Sequence, residues 1–322
     1  MAALVAGAPA VAQAEDLSIA AVSGYFAQGF GISIVNGLER AEQELGVNVQ
    51  IVDTGQRALD FEEQFNNLAR GGDFDVILVM GWELVDALMT TAEAHPDQRF
   101  VFIDGVLESD NITYIDFIEE EGSFLAGALS SMLVEQGVEG FDNGSEVGFV
   151  GGRDIPVIRN FLMGMEQGVD SASEDVGVSS VFAGSFDDPA KGSELAMTLY
   201  GQGIDIIYQA AGPTGEGVLQ AARAAGKYAI GVDIDQCPSA PGHILASMLK
   251  RADIAVFDLI QGEVDGSAPI APGTVEVGVA SGGVELKICE DMMERIPAET
   301  IASLEEMRAG IASGDIDVAL NR

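Results

Sequence analysis

The sequence is poor in the side chains on which most metal sites, nucleophilic enzymes and nucleic-acid binders rely. Its 322 residues include two cysteines, two histidines, one tryptophan and fifteen lysines and arginines together. The histidines, His95 and His243, are far apart, and neither has a cysteine or a second histidine at a ligand spacing. That argues against a metal centre. No Gly-x-Ser-x-Gly elbow and no cysteine–histidine pairing points to a nucleophilic enzyme. Against the fifteen basic residues stand 52 acidic ones, a formal net charge of -37. A surface of that sign repels phosphate backbones and anionic headgroups, which speaks against nucleic acid and membrane surfaces as partners. The acids are scattered rather than blocked, so solubility, as in a salty habitat, accounts for them better than an electrostatic role. No stretch of about 18 apolar residues follows the N-terminus, so nothing spans a membrane.

What is present begins with an Ala-rich apolar stretch and the pattern Ala12-Gln13-Ala14. Residues 1–14 read as the remnant of a secretory signal peptide, with Glu15 the first mature residue. A soluble, exported, periplasmic protein is expected. In an oxidising compartment Cys237 and Cys289 either pair or remain two buried thiols; the sequence leaves both open.

Strands and helices alternate along the chain. Short Val/Ile/Leu runs at 17–22, 47–52, 76–80 and 100–104 are separated by helical patterns at 32–45, 61–70 and 84–94. The same programme recurs, with strands at 146–150, 178–182, 204–208 and 228–232 and helices at 157–169, 193–200 and 216–225. Continuous apolar strands are those of parallel sheets covered on both faces. The expected fold is α/β, two doubly wound parallel-sheet lobes. Residues 15–116 plus 245–273 are expected to form the N-terminal lobe, and 117–244 plus 274–322 the C-terminal lobe. Crossings near 116, 245 and 275 make a three-segment hinge.

In such lobes ligands lie beyond the carboxyl ends of strands. The residues found there are rich in aromatics, carboxylates and glycine: Phe30, Trp82, Asp104, Phe186, Gly212 and Asp233. Rings stack on a flat base or sugar, and carboxylates accept hydrogen bonds from hydroxyls. Each has a plainer alternative. Phe30 can belong to the core at its helix start, Trp82 can be packing, and Asp233 can brace its turn. Lys250 can be a solvated strand residue, and Asp104 and Asp116 can pair with amides of the hinge. The run Glu119-Glu120-Glu121 reads as a solvated helix start, favoured there by the helix dipole. The loop 212–217 lacks the Gly-Lys-Ser/Thr ending of a phosphate loop, so nucleotide hydrolysis is not expected.

Several segments in order carry a resemblance: Asn36-Gly-Leu-Glu-Arg-Ala41, Pro96-Asp-Gln-Arg-Phe-Val-Phe-Ile-Asp-Gly105, Glu121-Gly-Ser-Phe-Leu-Ala-Gly127, Gly148-Phe-Val-Gly-Gly152, Ala211-Gly-Pro-Thr-Gly-Glu-Gly-Val218, Gly231-Val-Asp-Ile-Asp-Gln236 and Ser247-Met-Leu-Lys250. Spaced as they are, over about residues 17–320, they resemble the basic membrane protein family, the purine nucleoside receptor A-like binding proteins of ABC importers. The resemblance implies a type I periplasmic-binding fold and no enzymatic activity or cofactor. It implies an aromatic sandwich on a base, formed by Phe30 and Phe186. Asp233 and Lys250 would hold the ribose hydroxyls, with the Gly212 loop close by. Many members carry an aspartate and an asparagine flanking the first phenylalanine, where this chain has Ala27 and Gly31. The base edge is then read differently, or the ligand is not a standard nucleoside. The implied partners are a small molecule, first of all a nucleoside, otherwise a free base or a sugar, and an ABC permease in the inner membrane; the chain is expected to be monomeric. A nucleoside-processing enzyme and a sugar-responsive regulator are the competing classes, the latter disfavoured because no helix-turn-helix precedes the first strand.

If the crossings act as a hinge, ligand should compact the protein. Small-angle scattering of the free and nucleoside-saturated protein should show a smaller radius of gyration with ligand. Superimposable profiles at saturation would count against closure.

Overall fold

A computed structural model describes residues 17–54, 61–107, 109, 111–138, 140–141 and 145–321. The expected signal remnant lies outside the described residues. In chain order the elements are β1 (Ser18–Ser23), α1 (Gly29–Leu45), β2 (Asn48–Asp53), α2 (Phe61–Gly71), β3 (Val76–Met80), α3 (Val85–Ala94), β4 (Arg99–Ile103), β5 (Ile112–Phe117), α4 (Glu119–Glu135), β6 (Glu146–Gly151), α5 (Pro156–Ala172), β7 (Gly177–Phe182), α6 (Pro189–Gly201), β8 (Ile206–Ala210), α7 (Pro213–Ala225), β9 (Tyr228–Asp233), β10 (Ile244–Lys250), α8 (Ala252–Asp265), β11 (Gly273–Val277), β12 (Val284–Ile288) and α9 (Ala298–Ser313).

They form two compact units. The first comprises the described residues up to 26, together with 34–115 and 253–275; the second comprises 27–33, 116–252 and 276–321. The chain thus returns to the first unit at 252/253 rather than near 245. The reason is β10, which pairs parallel with β9 and antiparallel with β12 and so belongs to the second sheet. Residues 27–33, with Phe30 among them, also group with the second unit.

The first sheet runs β11-β5-β4-β3-β1-β2, and β1 to β5 pair in parallel. Its central strand β3, Val-Ile-Leu-Val-Met, is buried at every position, as a strand covered on both faces must be, whereas edge strand β2 is mostly exposed. Phe61, Phe65 and Leu88 from the flanking helices pack with Ile77, Val79, Phe100 and Phe102 in the core on one face. The second sheet repeats the plan as β12-β10-β9-β8-β6-β7, parallel except for β12. In each sheet the strand order reverses beside the first strand of its series, β1 or β6. That is the switch point at which doubly wound sheets open a ligand crevice.

Local chemistry sets the helix starts that face these strand ends. Asp188 caps α6, its carboxylate accepting from the Lys191 N–H at 2.9 Å, and Pro189 follows at the first helical position, where its missing N–H is not needed. The helices α4 and α5 approach closely because Gly127, Gly164 and Gly168 leave room for facing main-chain carbonyls; any Cβ there would strike Met165, Glu120 or Phe124. As a result α4 is buried around nearly its whole circumference.

Cys237 and Cys289 form a disulfide with a Cα separation of 5.6 Å. It ties the turn after β9 to the end of β12. In the chain-entropy picture, cross-linking residues 52 apart stabilises by about 4 kcal/mol. Thiol titration of the denatured, unreduced protein should find no free cysteine, and reduction should lower the melting temperature. Two titratable thiols would remove the bond.

Candidate functional site

Lys250 is the last residue of β10, a strand buried at every position, and it is itself 1% exposed. An ammonium cannot stay charged there without a counter-ion and polarisable neighbours. Glu119, the first residue of α4, supplies the first: its Oε1 lies 2.8 Å from Lys250 Nζ, and both side chains are 1% exposed. Asn160 Nδ2 donates to the other carboxylate oxygen at 3.3 Å. Three rings supply the second. The Nζ lies 4.7 Å from the centre of Phe30, 4.9 Å from Phe117 and 5.3 Å from Phe161, within cation–π range. Phe30 meets Phe117 edge to face at 5.7 Å and remains partly exposed.

The acidic run at the start of α4 is therefore not solvated, contrary to expectation. Glu119 and Glu120 are buried because α4 runs through the interior of its unit. Each acid has a different anchor. Glu119 holds Lys250, Glu120 accepts from the Asn321 N–H at 3.0 Å, and Glu121 accepts from the Val279 N–H at 2.6 Å. Burial raises the Glu121 carboxyl above its ordinary range, opposed by the bond from Val279 and helped by the nearby charges of Glu120 and Glu276. The positive end of α4 also favours acids here. The solvated reading of Lys250 is overturned by the same geometry.

Phe161 leads onward to Tyr208 on β8, 6.4 Å between ring centres. Tyr208 is fully buried, its hydroxyl paired with Ser123 Oγ at 3.1 Å. Burial pushes its phenol far above the ordinary value, reinforced by the negative charges of Asp233 and Glu119. Asp233 ends β9 with φ of 67°, and the Ile234 N–H donates to the Val232 carbonyl at 2.8 Å. That is the positive-φ form of the γ-turn, the rarer and more strained one. Strain of this kind persists only where surroundings enforce it, and it concentrates at ligand sites.

Phe186 is half-buried in the turn before α6. Its ring lies over Gly152, where a Cβ would collide with it, and 3.6 Å from the Cβ position of Gly212. The Thr214 N–H donates to the Phe186 carbonyl at 2.8 Å, fixing the start of α7 against the ring's backbone. Asp116 is half-buried near the end of β5.

In the first unit, Trp82 follows β3 and stands edge-on to Phe102, 5.9 Å between centres. Its indole N–H donates to the Asp104 carbonyl at 3.2 Å. Asp104 follows β4 with φ of 81°, and a Cβ on Gly105 would lie 2.7 Å from the indole. Trp82 thus packs on the core and also bears on the strand-end segment that holds Asp104.

Of the residues singled out from sequence, Phe30 with Lys250 and Phe186 with Gly212 are in contact in the second unit. Asp233 belongs to the same unit, and Trp82 and Asp104 are in contact in the first unit. Sequence reasoning did not single out Phe117, Phe161, Tyr208, Gln209, Glu119 or Gln236 for this site. Tyr208 closes a run that reads as plain core, and Gln209 follows it directly. The one available signal was polarity inside a buried run.

A family model described as Bmp, ABC transporter substrate-binding protein PnrA-like, matches residues 16–316. The chain belongs to this family. It is 30% identical over 280 residues to the ABC transporter nucleoside-binding protein BmpA of Lactococcus lactis, covering 81% of this chain and 75% of that one. Basic membrane protein D of Borreliella burgdorferi is 28% identical over 286 residues, 87% of this chain and 81% of the relative. Among solved structures, an ABC transporter solute-binding protein from Aeropyrum pernix superimposes with a TM-score of 0.85 at 25% identity, covering 95% and 94% of the two chains. The type I periplasmic-binding architecture is thereby shown. Members of the family are substrate-binding subunits of ABC transporters rather than enzymes, and such subunits work outside the cytoplasm. No helix among the described residues is long and apolar enough to cross a membrane.

The buried pair makes a stability prediction. Lys250→Met leaves a buried carboxylate without its cation, which should cost about 3–5 kcal/mol, whereas Lys250→Met with Glu119→Leu should recover most of the loss. Urea unfolding of the two variants decides it. A single variant as stable as the parent, or a double variant no better than the single, would show that the pair is not held as described.

Proposed function

We propose that this protein is the nucleoside-capturing subunit of an ABC importer, working as a monomer in the periplasm after loss of its leader and delivering its ligand to a permease in the inner membrane. The observation that carries the nucleoside reading is the presence, in one unit, of an aspartate held in a strained turn and a partly exposed phenylalanine on a glycine-lined seat: Asp233 for vicinal hydroxyls, Phe186 for a base face. Phe30 offers a second ring and Lys250 an N–H donor to a hydroxyl oxygen. The nucleoside-binding name of the Lactococcus lactis relative supports the same ligand class. Asp116 and the Gly212 loop complete the proposed contacts of this unit. No cofactor enters this role.

Calorimetry against adenosine, guanosine, uridine and cytidine, and against their free bases, tests it. A stacked ring contributes on the order of 1–3 kcal/mol, so Phe186→Ala should weaken binding by about 5- to 150-fold without unfolding the protein. Asp233→Ala should weaken the nucleoside far more than its base, because the base has no hydroxyls to lose. Equal weakening of both would remove the ribose role. No binding of any nucleoside by the parent, with tight binding of a base or a sugar, would replace the ligand class.

A further inference from the structure

Between the Asp233 turn and the Gly212 loop lies a line of side-chain amides and a carboxylate that takes no part in any contact proposed above. Gln209, on β8, is fully buried; its Oε1 accepts from the Ala211 N–H at 3.1 Å, immediately before Gly212. Its Nε2 donates to Gln236 Oε1 at 2.8 Å. The same oxygen of Gln236 accepts from the Val232 N–H at 2.9 Å, immediately before Asp233. Gln236 Nε2 donates to Glu216 Oε1 on α7 at 3.3 Å, and the Gln236 N–H donates to Ser247 Oγ at 3.0 Å on β10. The Gln236 carboxamide thus touches the residue before Asp233, the side chain that secures the residue before Gly212 and the first turn of α7, while its backbone N–H is held by the strand that ends in Lys250. The line fits only because glycines adjoin it: a Cβ at Gly231 would lie 2.7 Å from Gln236 Oε1, and one at Gly215 would overlap the Gln209 amide.

A buried amide is costly unless its donors and acceptors are all satisfied, and once satisfied it admits one arrangement. The turn at Asp233 is strained and needs such enforcement. We propose that Gln236 is a positioning residue of the ligand site, setting the Asp233 carboxylate and the Gly212 loop in one register and thereby fixing selectivity for a ligand that carries ribose hydroxyls. The inference rests on the nucleoside reading for its ligand and on the hydrogen-bond geometry for its mechanism.

Two arms separate these. Gln236→Glu keeps an oxygen for Val232 and Gln209 but replaces the donor facing Glu216 with a second carboxylate oxygen. Losing a charge-assisted bond and gaining repulsion should weaken the best-bound nucleoside of the four above by about tenfold or more, and its free base by less. Adding Glu216→Gln reverses donor and acceptor across the same gap and restores the parent's net charge. The double variant should regain affinity to within about threefold of the parent, because the bond has been rebuilt. In the second arm, hydrogen exchange on the unliganded protein should show the Val232 amide exchanging faster in Gln236→Ala and unchanged in Gln236→Glu. An unrescued double variant, or a base weakened as much as its nucleoside, overturns the selectivity role. Unaltered Val232 exchange in Gln236→Ala overturns the positioning role. A parent that binds none of the nucleosides defeats the ligand reading alone, and the exchange arm still decides whether Gln236 holds the turn.

Discussion

Burying the Lys250 ammonium constrains much of the second unit. The strand that carries it is covered on both faces, so its end must meet an anion, and the anion must arrive on an element that is buried as well. Glu119 meets that demand because α4 runs through the interior, and α4 can do so because glycines let α5 approach its backbone. The same first turn of α4 holds residue 321 through Glu120 and residue 279 through Glu121, just beyond the passage of the chain at 275/276. The helix start that carries the counter-ion of Lys250 thus also anchors two segments distant from it in sequence.

The aromatic cage follows from the same constraint. Three phenylalanine rings around one ammonium satisfy it where water is absent, and they leave Phe30 with part of its surface uncovered. A ring that braces a cation on one side and keeps part of its surface uncovered leaves room for the recognition proposed above alongside its packing role. The alternatives weighed for Phe30 and Trp82 are therefore not exclusive: Trp82 also packs on Phe102 while bonding to the Asp104 carbonyl.

The alternation of strands and helices was legible because continuous apolar runs and strand-end glycines are local signals. The end of the N-terminal series and the residues that follow each strand could be read the same way. The return of the chain was not legible at the right place. The β10 sequence is mostly apolar, and its membership of the second sheet depends on pairing with β9 and β12, which is non-local. The acidic run misled for a related reason. Three adjacent glutamates look solvated until the distant Lys250, Val279 and Asn321 are brought to them. The role of Gln209 and Gln236 was not legible because their bond joins the end of β8 to the loop after β9, 27 residues away, and no local pattern shows that they face one another.

The duplicated sheet order has an evolutionary reading. Asp104 and Asp233 are the two non-glycine residues with positive φ among the described residues, and each stands at the end of the fourth strand of its own series, β4 or β9. Aspartate tolerates that backbone region better than most side chains. A chain assembled from two copies of one half-length ancestor would carry such an aspartate twice from the outset. Here the flanking partners differ, an indole and Gly105 on one side and a carboxamide line and a disulfide on the other, while both halves share the positive φ at that aspartate.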